Sequence, residues 1–178
     1  MQQPIRILVV DDDQDLTRMF WLMLAKNGFE IMTAFDGETA LVESRETRPD
    51  LVLLDIMLPG NLDGIEVCRQ LRADPTLNSV SVVMVTARMD AETRKAAFSA
   101  GANDYWVKPI DRASLADRVR ATLEAHRASL SHPVADAGVQ PDNHPTLEPI
   151  VKMLAELAPK DLEEVRALVA TKLAHRGT

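Results

Sequence analysis

Three consecutive aspartates, Asp11, Asp12 and Asp13, follow directly on the apolar run Ile7-Leu8-Val9-Val10, and a second apolar run, Leu51-Val52-Leu53-Leu54, ends in Asp55. Carboxylates brought together repel and raise one another's pKa, so such a group calls for a positive partner. A hard divalent cation suits these oxygen ligands. Two later apolar runs end in Thr86 and Lys108. Clustered carboxylates, one of them able to act as a nucleophile, together with a hydroxyl and an ammonium are what phosphoryl transfer needs. That chemistry depends on in-line positioning and on neutralising the equatorial oxygens.

These groups meet if the runs that carry them are parallel strands of one sheet. Short runs rich in Val, Ile and Leu alternate with longer segments of helical period, the signature of repeated βα units. The strands are expected at Ile5 to Val10, Glu30 to Ala34, Leu51 to Leu54, Ser81 to Val85 and Tyr105 to Val107. Helices are expected near Gln14 to Asn27, Gly37 to Arg45, Gly64 to Arg72, Ala91 to Ala100 and Asp111 to His126. Asn27-Gly28 supplies a left-handed helix stop, Asp36-Gly37 and Gly60-Asn61 read as turn dipeptides, and Pro49 and Pro75 interrupt helical geometry. The fold class is α/β, a doubly wound five-stranded parallel sheet. In such a sheet ligands collect outside the carboxyl ends of the strands, where strand order reverses. That rule gathers Asp11, Asp12, Asp55, Thr86 and Lys108.

With 178 residues, 46% hydrophobic and 26% charged, the composition is that of a globular chain, long enough for one well-buried domain and an appendage. Its apolar runs are too short to cross a bilayer. The N-terminus enters a strand pattern without the apolar core of a signal peptide, and the single cysteine, Cys68, suits a reducing compartment, so a cytoplasmic location is expected. Cys68 falls in a helical stretch and reads as a buried structural thiol. A net charge of -7 argues against broad nucleic-acid affinity.

The chain resembles the receiver domain of two-component response regulators. The residues that carry the resemblance are Val9-Val10-Asp11-Asp12-Asp13, Leu54-Asp55-Ile56-Met57-Leu58-Pro59-Gly60, Asp63-Gly64, Val85-Thr86-Ala87, Gly101-Ala102, Asp104-Tyr105 and Lys108-Pro109. The resemblance covers roughly residues 5 to 127. The resemblance implies a flavodoxin-like strand order 2-1-3-4-5, Asp55 as phosphoacceptor, and a Mg²⁺ pocket made by Asp11, Asp12, Asp55 and the backbone carbonyl of Met57. It implies that Thr86 and Lys108 contact phosphoryl oxygens, that small Ala87 leaves room for a phosphodonor, and that the Lys108-Pro109 bond is cis. The donor would be a histidine kinase or phosphotransfer protein, and the protein would act as a switch that assists its own phosphorylation and dephosphorylation without being an enzyme on outside substrates. One departure is a segment from Asp55 to Gly64 that is one residue longer than usual, expected to bulge after Pro59 and to leave the metal pocket intact.

A phosphoryl group on Asp55 would draw the Thr86 hydroxyl toward it and open space into which Tyr105 turns. Tyr105 is therefore a candidate switch residue; the plainer reading is a half-buried packing aromatic. Strand alternation puts Trp106 on the opposite face, under the last helix. Asp11-x-Asp13-x-Asp15 imitates a calcium loop, but Leu16 and Leu22 stand where that loop needs Gly and Glu. The same strand followed by Asp11-x-Asp13 is also similar to the nucleophile motif of haloacid dehalogenase-like phosphatases, an aspartyl-phosphate enzyme alternative for which the chain lacks a cap domain. Asp13 and Asp15 read as solvated helix-start acids. His126, His132, His144 and His175 show no metal-ligand spacing and read as surface or linker residues.

Residues 1–128 are thus expected to form the receiver. Residues 129–149, with Pro133, Pro141, Pro145 and Pro149, read as a linker. Residues 150–178 read as a small helical hairpin broken at Ala158-Pro159, with Leu162, Val165, Val169 and Leu173 as one apolar stripe and Ile150, Val151, Leu154 and Leu157 as another. Helices this small need a partner. That partner could be a second copy, giving a homodimer through 150–178, the chain's own receiver, or another protein. From Ser129 onward five basic residues face seven acidic ones, which offers no basic recognition helix. Output through a downstream protein target is expected, and transcription control by a minimal DNA-binding tail is the alternative.

Overall fold

The computed structural model describes residues 4–131. Five strands, β1 (Arg6–Val10), β2 (Glu30–Ala34), β3 (Leu51–Leu54), β4 (Ser81–Thr86) and β5 (Asp104–Val107), alternate with α1 (Gln14–Ala25), α2 (Gly37–Thr47), α3 (Gly64–Ala73), α4 (Ala91–Ser99) and α5 (Leu115–Ser131). All strand pairs are parallel and the order is β2-β1-β3-β4-β5. This is the expected doubly wound, flavodoxin-like sheet. The register sets Val10 beside both Ala34 and Leu54, so β1 and β3 end level and release their aspartates side by side.

Side chains alternate across a strand, and the central strands are apolar on both faces because helices cover both. Leu8, Val10, Val52, Leu54, Met84 and Tyr105 pack with Ala40, Leu41, Val67, Cys68, Leu71 and Ala97 of α2, α3 and α4. Ile7, Val9, Leu51, Leu53, Val83, Val85 and Trp106 pack with Phe20 and Leu24 of α1 and Leu115, Val119 and Leu123 of α5. Adjacent Tyr105 and Trp106 therefore enter separate cores, as alternation requires. The Trp106 Nε1 donates to Asp104 Oδ2 at 2.6 Å, and the Arg118 guanidinium lies 4.2 Å from the ring centroid. Cys68 is buried, and burial pushes its thiol up to about 11.

Aspartate starts four of the helices. Asp13, Asp36, Asp63 and Asp90 each stand at the N-cap with a carboxylate oxygen accepting backbone N–H groups of the first turn, which satisfies donors that no helical carbonyl reaches. Asp13 accepts from Asp15 and Leu16. It is a cap rather than a merely solvated acid, while Asp15 lies in the first turn as expected. Gly28 carries the left-handed stop after α1 at φ 85°. The last helix differs from expectation at both ends. Asp111 accepts from the Ala113 amide and the Ser114 hydroxyl, and that turn delays α5 until Leu115. The helix then continues past His126 through Ser131, into the stretch expected as linker. The rest of that linker and the hairpin at 150–178 lie outside the described residues.

The amino-terminal edge of the sheet is tied by a polar network. Arg72 donates to the carbonyls of Gly101 (2.9 Å), Val80 (2.8 Å) and Asn78 (3.3 Å) and to Asn103 Oδ1 (2.8 Å). Asn103 Oδ1 also accepts from the Val82 amide at 2.8 Å. His126 joins this network through both ring nitrogens, to Asn103 and to the Ser79 carbonyl. His126 lies at the surface as expected, with its imidazole partly buried and bonded on both sides.

Candidate functional site

The carboxyl edge gathers the acids. Asp11 follows β1, its amide donating to the Ala34 carbonyl at 3.2 Å, and Asp55 follows β3, its amide donating to the Val10 carbonyl at 2.9 Å. These ladder bonds fix both backbones on neighbouring strands. Asp11 and Asp55 are buried and Asp12 is exposed. Each of the three offers a carboxylate oxygen, and those atoms lie within 4.8 Å of one another. Such a cluster of hard oxygen donors is the set that a small divalent cation accepts.

Lys108 supplies the positive charge. It stands just past β5, beyond a backbone bond from its amide to the Thr86 carbonyl at 2.9 Å and before a cis Lys108-Pro109 peptide. Its Nζ lies 2.5 Å from Asp11 Oδ2 and 2.6 Å from Asp55 Oδ2. Burial holds the Asp11 carboxyl above its usual range, more than the Lys108 hydrogen bond pulls it down, and the Asp55 charge adds to the rise. Burial alone would depress Lys108, but its hydrogen bonds to Asp11 and Asp55 outweigh it and hold the ammonium above its ordinary value. The lysine is charged and it bridges two acids, while the carboxylates retain oxygens it does not use.

The remaining candidates border this cluster. Thr86 is the last residue of β4, fully buried, with its hydroxyl accepting from the Arg88 amide at 3.4 Å. The Met57 amide donates to Asp55 Oδ1 at 3.2 Å while its side chain is 62% exposed. Tyr105 is turned inward: it is buried, its hydroxyl donates to the Arg88 carbonyl at 3.0 Å, and Arg94 lies 5.8 Å from its ring centroid. Arg88 thus touches both Thr86 and Tyr105 through its main chain, a link the sequence reading missed, since no side-chain pattern marks a backbone contact.

The role of Gly64 is steric. A Cβ there would lie 2.0 Å from the Asp55 carbonyl oxygen, so the start of α3 can seat against the backbone beside Asp55 only as glycine. The loop before it packs against the start of α2. Gly60 takes φ 95°, and Leu62 comes so close to Gly37 that a Cβ on Gly37 would be 2.7 Å from the Leu62 Cβ. The extra residue is accommodated against the start of α2, and the acid cluster is whole.

The family model described as the response regulator receiver domain matches residues 7–120. The DNA-binding response regulator MtrA of Mycolicibacterium smegmatis is 49% identical over 118 residues, covering 66% of this chain and 50% of MtrA. Response regulator PleD of Caulobacter vibrioides is 43% identical over 116 residues, 65% of this chain and 25% of PleD. The crystal structure of a CheY-like response regulator receiver domain protein from Methanospirillum hungatei superposes with a TM-score of 0.66 at 25% identity, covering 71% of this chain and 99% of that one. The chain spans about half the length of MtrA and a quarter of PleD.

Proposed function

The chain belongs to the response regulator receiver domain family, the phosphorylation-dependent signalling switches of two-component systems, and from that premise we propose that Asp55 is its phosphoacceptor. The observation that carries the reading is the Lys108 ammonium bridging Asp55 and Asp11 at 2.6 and 2.5 Å. An Asp55 oxygen attacks the phosphorus of a phosphohistidine on a histidine kinase or phosphotransfer protein. An O–P bond forms as the N–P bond breaks, and the imidazole departs. Lys108 turns from the bare carboxylate to a phosphoryl oxygen, and the Met57 amide keeps the acceptor carboxylate oriented through Oδ1.

Asp11, Asp12, Asp55 and the Met57 carbonyl would hold Mg²⁺. The clustered oxygen donors fit it, and burial of Asp11 beside Asp55 is a cost that a cation offsets. When bound, the ion neutralises phosphoryl oxygens in the transition state. After transfer, the Thr86 hydroxyl leaves the Arg88 amide for a phosphoryl oxygen. Because Arg88 also holds the Tyr105 hydroxyl, the β4–α4 loop and the Tyr105 face respond together. That response alters affinity for a downstream protein.

Residues 1–128 act as the receiver, 129–149 as a linker whose first residues prolong α5, and 150–178 as the segment that contacts a second copy or another protein. A cytoplasmic location fits a kinase-fed switch. The MtrA relatives are described as DNA-binding, which favours transcription control as the second reading for a fuller protein. The chain is expected to gain one phosphoryl mass from a small phosphodonor, only with Mg²⁺, and Asp55→Asn is expected to gain none. An equal gain in that variant overturns the assignment.

A further inference from the structure

The amino-terminal edge carries an imidazole whose hydrogen bonds depend on its charge. His126 Nε2 lies 2.7 Å from the Ser79 carbonyl oxygen, which only accepts, so Nε2 bears a proton. Nδ1 faces the Asn103 side-chain nitrogen at 3.1 Å. The other end of that amide fixes its orientation: Oδ1 accepts from the Val82 amide and the Arg72 guanidinium, each at 2.8 Å. The Asn103 amino group must therefore donate to Nδ1, and the ring is satisfied only when neutral. A second proton would set N–H against N–H. Asn103 cannot turn to receive it without giving up both Val82 and Arg72.

The position of the ring gives it leverage. The buried residues of α5 are Leu115, Val119 and Leu123, one turn apart, and His126 is the next at helical spacing. Residues 127–130 are exposed. His126 is thus the last inward anchor of α5 before the chain runs on into 132–178. The charged groups around it are Arg72, which acts through Asn103, then Arg48, Asp50 and Arg127 in the groove on one side, and Asp104 in the groove on the other. Arg127 pairs with Asp50 at 4.0 Å. Carboxylates and guanidinium groups as classes keep their charge between about pH 5 and 8, the interval in which imidazole changes. His126 is the one imidazole among the described residues.

We propose that neutral His126 latches the C-terminal turns of α5 to the amino-terminal edge of the sheet, and that its protonation releases them. The test is ¹⁵N relaxation on the full chain at about pH 7.5 and pH 5.5, values that bracket the imidazole range. Order parameters at residues 127–131 are expected to fall from about 0.85 to below about 0.6 on acidification, the change from rigid to flexible backbone. His126→Gln keeps an amide donor for Ser79 that does not titrate, and its helix end is expected to hold at both pH values. His132→Gln removes a neighbouring imidazole and is expected to keep the full response. Rigid turns in the unaltered chain at pH 5.5, or an undiminished pH response in His126→Gln, would overturn the proposal. A long-range ¹⁵N–¹H spectrum reads the ring independently of motion: a neutral ring protonated on Nε2 at pH 7.5 is expected, and an Nδ1-protonated or charged ring would equally sink it.

Discussion

The two edges of the sheet solve opposite problems with similar residues. At the amino-terminal edge, the donors of Arg72, Asn103 and Val82 meet acceptors within the fold, and the network closes on itself. At the carboxyl edge, three carboxylates cluster and one ammonium bonds two of them. Buried polar groups ordinarily find partners; the Arg72 network meets that condition, and the carboxyl edge is an imbalance that a ligand can complete. A binding site for a cation and an anion must stay incomplete in the protein alone. A purely architectural site gains nothing from that.

Changes at each edge should therefore differ in kind. Lys108→Met, the largest effect, is expected to slow phosphoryl acceptance on the order of a hundredfold or more. It should also destabilise the metal-free chain by about 3 kcal/mol, because two buried acids lose their counter-charge. Millimolar Mg²⁺ should restore part of that stability, as read by urea midpoints with and without the ion. A stability loss indifferent to Mg²⁺ would break the contrast. Arg72→Ala at the opposite edge should cost about 2 to 3 kcal/mol, since two part-buried carbonyls and the Asn103 side chain lose their donor. Its rate of phosphoryl acceptance, measured by mass spectrometry, should stay within about twofold once folded.

Asp11→Asn sharpens the comparison through its sign. Burial and the Asp55 charge raise the Asp11 pKa, so its ionisation opposes folding at neutral pH. That cost is absent below the ordinary aspartate range and grows as pH rises through the folded value. The variant should unfold at higher urea, by up to about 1 kcal/mol, while Mg²⁺ binding weakens. The smallest effect is expected at Asp90, where hydrogen bonds from the Thr93 hydroxyl and amide hold the carboxyl below its usual range. A depressed pKa gives stability that is present above the ordinary aspartate value and lost as pH falls through the folded one. The decline of the urea midpoint from about pH 5 to pH 3 should be shallower in Asp90→Asn, whose side chain can still cap α4. An identical slope would remove Asp90 from the acid response.

The carboxyl edge was the more legible of the two in the sequence. Its aspartates, threonine and lysine each end an apolar run, and the βα rhythm forces those run ends together. The amino edge is written in contacts between residues of unremarkable type: Arg72 on a helix, Asn103 in a loop, and His126 three residues past the last buried leucine of α5. No periodicity announces them, because what they satisfy are backbone carbonyls exposed only once the strands are in register. The start of α5 was misjudged for a related reason. Asp111 resembles a cap, but it closes a tight turn with Ser114, and the helix waits for Leu115. Asp36 precedes a glycine and reads as a turn former; in the fold it caps α2.

The chain has two tryptophans, and the fold has put them in contrasting surroundings. Trp21 is 46% exposed on α1, whereas Trp106 is fully enclosed beneath α5 with its ring against Arg118. An aqueous quencher such as iodide should reach Trp21 and leave Trp106 dark to it, so one cuvette resolves two signals without any label. Because Trp106 adjoins Tyr105 in β5 yet belongs to the other core, its emission becomes a built-in gauge of whether a change at the Tyr105 face crosses the sheet or stops there.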